Sequence, residues 1–190
     1  MKRPMQLADL AEAARRFRPL DDGADGKIYR CAARLTDGLF LPCVALASAE
    51  PRVNLALRRF EETRADELSP RQQQRHGRGF GYRDIVQSFV TQGATVNWYD
   101  IAEVEESDFA LSPERLSEIK GETSMGWTRF VCVMADGREF SFGTTFSIEF
   151  FDMPAGYAAR DVVRILPDEE RGEPVYRERP FFTCYLDTAI

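Results

Sequence analysis

Four cysteines, a single histidine and a run of carboxylates are the residues of this 190-residue chain best suited to chemistry. Cys31, Cys43, Cys132 and Cys184 lie far apart, and no CxxC or CxH spacing gathers them into a metal site. Each falls in an apolar run, where a neutral buried thiol behaves as a small hydrophobe. A nucleophilic thiolate would want an electropositive, accessible setting. His76 stands in RQQQRHGRGFG, where nothing nearby is placed to hold an imidazole against a nucleophile. No Walker A sequence, strand-linked GxGxxG, HExxH or GxSxG is present. The expectation is no metal, no cofactor and no recognisable catalytic centre.

Charge is more informative. Between residues 100 and 118, Asp100, Glu103, Glu105, Glu106, Asp108, Glu114 and Glu118 face only Arg115, so this segment carries −6, equal to the net charge of the whole chain. Period-two alternation puts Glu103 and Glu105 on one strand face and Asp100 and Glu106 on the other. Such a segment is either a solvated edge strand, whose charges discourage sheet-to-sheet association, or a docking surface for a basic partner. The stretch from 66 to 81 loses apolar periodicity and reads as an exposed loop; Arg71, Arg75, Arg78 and Arg83 make it and its flank cationic, with Phe80 and Tyr82 nearby. Arg75 and Arg78 therefore join Asp100, Glu103, Glu105, Glu106 and Asp108 as candidate partner contacts. The same loop could stack on and neutralise nucleic acid. The overall charge of −6 and a pI of about 5.0 oppose a polyanion as main partner.

A third cluster centres on FSFGTTFSIEFF, residues 140 to 151. Its aromatic positions alternate with Ser141, Gly143, Thr145, Ser147 and Glu149. Glu149, with Arg129 and Trp127 close by in the pattern, is the candidate for a small-molecule site of a hydrolase or transferase, or for a buried ion pair. GETSMGWT at 121–128 is a loop of the kind that can cover a ligand on a rigid sheet. Taken together, the residues predict a non-enzymatic binding module of the inhibitor, immunity-type or adaptor kind, acting on another protein through complementary charge. A carboxylate-based enzyme and a nucleic-acid binder are the alternatives.

The elements that must position these residues follow from periodicity. Leu7, Leu10, Ala11, Ala14 and Phe17 mark a helix over 5–17, and Val53, Ala56, Leu57 and Phe60 another from Ser48 to about 65. Tyr82 to Val90 returns to helical spacing with Gly93 as its stop, and SPERLSEIKG is a short helix capped by Ser112. Two Asp-Gly turns, at 37–38 and 136–137, predict hairpins over 28–47 and 127–150. With two-residue turns, Leu35 faces Phe40 and Cys31 faces Val44, while Val133 faces Phe140 and Val131 faces Phe142. A strand through Trp98 and Val104, then DVVRIL and PFFTCYLD, completes the set. The predicted class is α+β: a mainly antiparallel sheet packed on one face by about four helices, in one domain of 190 residues.

Composition sets outer limits. Hydrophobic content of 44%, charged content of 29% and 14 Phe belong to a folded chain able to bury a core. Asp9 and Glu12 interrupt what would be the apolar centre of a signal peptide, and no run approaches the ~20 apolar residues of a membrane span. A cytoplasmic, reducing location is expected, with no membrane partner.

Overall fold

Each Asp-Gly turn closes a three-residue loop rather than a two-residue one. In the computed structural model, Leu35 N–H donates to Leu39 O (2.8 Å) and Gly38 N–H to Leu35 O (2.9 Å), with Gly38 at φ +96°. Met134 N–H donates to Arg138 O (2.8 Å) and Gly137 N–H to Met134 O (2.9 Å), with Gly137 at φ +86°. Asp37 and Asp136 each accept the backbone N–H two residues on, at 2.9 and 3.1 Å. The aspartates thus stabilise the loops, and only glycine takes the left-handed position cheaply. The structure describes residues 2–22, 26–67, 90, 93–120, 127–145, 147–168 and 173–190.

The extra loop residue shifts pairing by one, with different consequences in the two hairpins. In the first, β2 (Gly26–Leu35) pairs with β3 (Phe40–Ser48) as Arg34↔Phe40 and Ala33↔Leu41, yet Cys31↔Val44 farther along. Two residues of β3, Pro42 and Cys43, oppose the single Ala32, so a bulge restores the expected register beyond it. Proline costs little at a bulge, where its missing N–H breaks no ladder. The expected Leu35–Phe40 pair is therefore corrected: Leu41 turns into the core and Phe40 stays 41% exposed.

The second hairpin has no compensating bulge. β5 (Thr128–Met134) pairs with β6 (Glu139–Thr144) as Val133↔Glu139, Cys132↔Phe140, Val131↔Ser141 and Phe130↔Phe142. Every expected partner changes face, because side chains alternate with period two. Phe140 and Phe142 share a face with Phe130 and Cys132, not with Val131 and Val133. β6 also ends at Thr144, short of the predicted 150. Phe130 stacks on Phe142 (centroids 5.7 Å) and meets Phe151 edge-on at 5.4 Å. The rings fill a core.

There are two sheets instead of one. The first joins β1 (Pro19–Asp22), β2, β3 and β9 (Phe182–Leu186) in that order, while β4 (Ile101–Glu105) pairs with the C-terminal half of β2. The second has the order β7-β5-β6-β8, with β7 at Val162–Pro167 and β8 at Tyr176–Arg177. Hairpin neighbours are antiparallel, but β9 runs parallel to β3 and β8 to β6. β1 and β8 are additions to the sequence-based set; the aspartates of β1 read as turn residues.

Three α-helices occur among the described residues, and they do not share one face. α1 (Leu7–Ala14) lays Leu10, Ala11 and Ala14 on Tyr29, Cys31, Val44, Leu46 and Ile101 of the first sheet. α2 (Ala49–Glu67) packs through Ala49 and Val53 against Val90 and Tyr185. α3 (Pro113–Leu116), a single turn whose Ser112 Oγ accepts from Arg115 N–H, brings Leu116 into the second core with Phe130, Phe142 and Ile165. The helix expected over 82–93 lies outside the described residues except at Val90 and Gly93; of the loop expected over 66–81, Asp66 and Glu67 instead belong to α2, and 68–81 lie outside the described residues.

The two sheets meet through the reverse side of the first. β2 is buried without interruption from Ile28 to Ala33, so both of its faces are covered. Cys43 and Ala45 on that side pack with Phe150, Phe109 and Phe181. Phe150 and Phe151, adjacent in the chain, thus serve different cores.

Candidate functional site

The predicted acidic segment divides into committed and uncommitted carboxylates. Asp100 is not in the strand: it closes a 3₁₀ turn, Trp98–Asp100, and accepts from Asn97 Nδ2 at 3.1 Å. Glu103 stands opposite Arg34 in the β2–β4 ladder, 3.7 Å from its Nε, and receives Lys2 Nζ at 2.6 Å. The Lys2 hydrogen bond and charge hold the Glu103 carboxyl below its ordinary range. Asp108 pairs with Arg160. Glu105 and Glu106 are exposed and have no hydrogen bond or ion pair among the described residues.

Glu105 shares its cross-strand position and face with Ala32, and both border a groove of about 300 Å³. Phe40, Pro42 and Phe109 form its apolar walls, with Glu106 at the edge. Ser107 shapes this corner by donating its hydroxyl to Pro42 O at 2.6 Å, occupying a carbonyl where β3 has no β9 partner. The three-residue loop matters here too, because it is the shifted register that leaves Phe40 facing outward. The result is an acidic rim, joined by the Asp108–Arg160 pair, on an aromatic and prolyl wall in which Phe40 lies under Arg34 (5.2 Å) and Phe109 under Arg179 (4.3 Å). Arg75 and Arg78 lie outside the described residues, as do His76 and residues 121–126 of the GETSMGWT loop.

The predicted cluster of Glu149, Arg129 and Trp127 is split among different partners. Arg129 and Asp168, 3% and 5% exposed, make a buried pair: Asp168 Oδ2 accepts from Arg129 Nη2 at 2.8 Å and Nε at 3.2 Å. Ser141 Oγ donates to the same oxygen (2.6 Å) and accepts from Arg129 Nη2 (3.1 Å). With its proton directed to a carboxylate held by a guanidinium, this hydroxyl is fixed in a structural network. Trp127 lies under Arg177, whose Cζ is 5.1 Å from a ring centroid. Gly143 allows Pro174 and Trp127 to close over this face: an added Cβ would fall 2.5 Å from Pro174 Cγ. The small-residue face is thus filled at Ser141 and Gly143 by protein.

Glu149 turns to the other sheet. Its carbonyl accepts from Arg30 Nη1 at 3.0 Å, and its carboxylate receives the Ser147 hydroxyl. Arg30 is the functional candidate that the sequence reading missed. Its available signal was the apolar character of Ile28 and Ala32 on the same β2 face, which places an arginine between residues that need burial.

All four cysteines are free and buried. Burial pushes the Cys43 thiol up to about 11 and those of Cys132 and Cys184 to about 12, with Cys31 higher still. These thiols are neutral and unsuited to nucleophilic attack at pH 7. Among the described residues, no group of His, Cys, Asp and Glu could hold a metal ion, and no helix is long and apolar enough to cross a membrane. No protein-family model matches the chain, nor does any curated protein or any solved structure.

Proposed function

We propose that the protein is a binding module for another protein, and that it receives a basic side chain of that partner in the groove between β4 and the tip of the first hairpin. The observation that carries this reading is the uncommitted Glu105–Glu106 pair beside Phe40, Pro42 and Phe109. Other carboxylates of the segment are ion-paired with Lys2, Arg34 and Arg160, whereas these two make no ion pair among the described residues. The aromatic wall would cover the methylene stem, and the carboxylates would set orientation and association rate. An inhibitor, immunity-type or adaptor role follows from such capture: the partner's basic site is occluded or tethered, with no bond made or broken.

The test compares the intact chain with Glu105→Lys/Glu106→Lys as bait in native lysate at low salt. The expected result is a partner with a basic surface, retained in stoichiometric amount by the unmodified chain, released by rising salt and lost from the variant. Capture undiminished by the charge reversal, or no stoichiometric partner at low salt, refutes the reading.

A further inference from the structure

A second cavity, of about 450 Å³, adjoins the acidic groove and shares Glu106 and Arg160 with it. It lies between the segment following α1, the reverse face of β2, α3 and the 3₁₀ turn Ala159–Asp161. Its electrostatics are opposite to the groove's: five arginines line it against two glutamates. Three of those arginines are committed, Arg18 to Glu114, Arg115 to Glu118 and Arg160 to Asp108. The other two, Arg16 and Arg30, have no ion pair among the described residues.

Arg30 is the unusual member. It is only 6% exposed, on a strand buried on both faces. A guanidinium offers a planar fork of five N–H donors. Here Nη1 reaches Glu149 O at 3.0 Å, and Nε, which has almost no accessible surface, has no hydrogen-bond partner among the described residues. An unpaired buried donor is costly, and it leaves this guanidinium with fewer hydrogen bonds than its five N–H groups can make. Burial lowers Arg30 to about 10, with the Glu149 carboxylate opposing that shift, so it remains cationic at pH 7. Arg16, exposed at the rim, supplies a second free cation.

We propose that this cavity binds a small oxyanion, a carboxylate or phosphate group, with Arg30 as the fork in its buried wall and Arg16 at its mouth. The planar guanidinium matches both groups in geometry, and its burial strengthens the contact relative to a surface arginine. The volume lies in the range of about 300–1,000 Å³ that holds small molecules. This site meets the partner groove at Glu106 and Arg160 but is built on Arg30 and Arg16, which do not line that groove, and its test requires no protein partner.

Isothermal titration of the full chain with inorganic phosphate and, separately, with succinate at low salt reads the site directly. Saturable one-to-one binding of at least one probe is expected. Arg30→Met should weaken it at least tenfold, and Arg16→Glu at the exposed mouth severalfold. Saturation by phosphate alone assigns a phosphoryl ligand, and by succinate alone a carboxylate ligand; either supports the site. No saturable binding of either probe overturns the proposal, as does binding that survives Arg30→Met unchanged. Should Arg30→Met fail to fold, as judged by circular dichroism, undiminished binding by Arg16→Glu overturns it.

Discussion

Replacing Arg129 by methionine tests how the face opposite the ring core is held. The side chain is 3% exposed and its partner Asp168 5%, so neither charge has water to fall back on. Removing one member of a buried pair generally costs about 3–5 kcal/mol, because the other is left desolvated. Ser141 Oγ, 2.6 Å from Asp168 Oδ2, still donates to the carboxylate, which puts the expectation near the lower end, about 3 kcal/mol. With a urea dependence of about 2 kcal/mol per molar, the unfolding midpoint should fall by ~1.5 M. Equilibrium urea unfolding followed by circular dichroism measures this. Asp168→Leu should also be destabilising, since it removes the carboxylate that takes two of the buried guanidinium's hydrogen bonds. The double variant, which removes both charges, should be more stable than the sum of the single losses implies, by about 2 kcal/mol or more. A loss below about 1 kcal/mol for Arg129→Met, or strict additivity in the double variant, would refute the argument that this is a mutually dependent buried pair.

Two further outcomes follow from the same geometry. Gly143→Ala puts a Cβ 2.5 Å from the ring of Pro174, which cannot rotate away; the expected cost is about 1–3 kcal/mol in urea unfolding, and a neutral effect would mean that Pro174 does not close over that face. Glu103, held below its ordinary range chiefly by Lys2, contributes stability that is present above the unfolded carboxylate range and lost as pH falls through its depressed folded value. Because the pair is exposed the effect on unfolding is small, so NMR titration of the Glu103 side chain is the better measurement. Lys2→Ala should raise its midpoint, and no change would remove Lys2 as the cause.

The hairpins show where sequence reasoning succeeds and where it stops. Asp-Gly located both turns, because those residues supply a local acceptor and a left-handed glycine. It did not distinguish a two-residue from a three-residue loop, since both use the same chemistry. In the first hairpin the bulge at Pro42–Cys43 restored the register, so Cys31 met Val44 as expected. In the second nothing did, and the aromatic row paired with Phe130 and Cys132 instead. That the rings form core was legible from strict alternation; the identity of their partners depended on one residue in a turn. The ion pairs were not legible for another reason. Arg129 and Glu149 looked adjacent in a pattern, but Asp168 and Arg30 come from other strands and loops, and only the packing of two sheets brings them in. The acidic segment was visible as composition. Which of its carboxylates remain available depended on Lys2 and Arg160, distant in sequence.

The order of the strands makes the first sheet depend on a late arrival. β3 lies beside β9, Val44 opposite Phe182, although every strand of the second sheet is synthesised between them. On a growing chain, β3 can pair with β2 at once, but the edge of Val44–Ser48 that faces β9 emerges unpaired and stays so while some hundred and more residues are added. That edge is apolar and resembles the open strands that recruit other chains. Closing it spans a large loop and is entropically slow. The bulge with Pro42 blunts one end of the waiting strand, and the remainder is protected only when β9 docks. Synthesis thus exposes, for a time, an adhesive border that the finished molecule conceals.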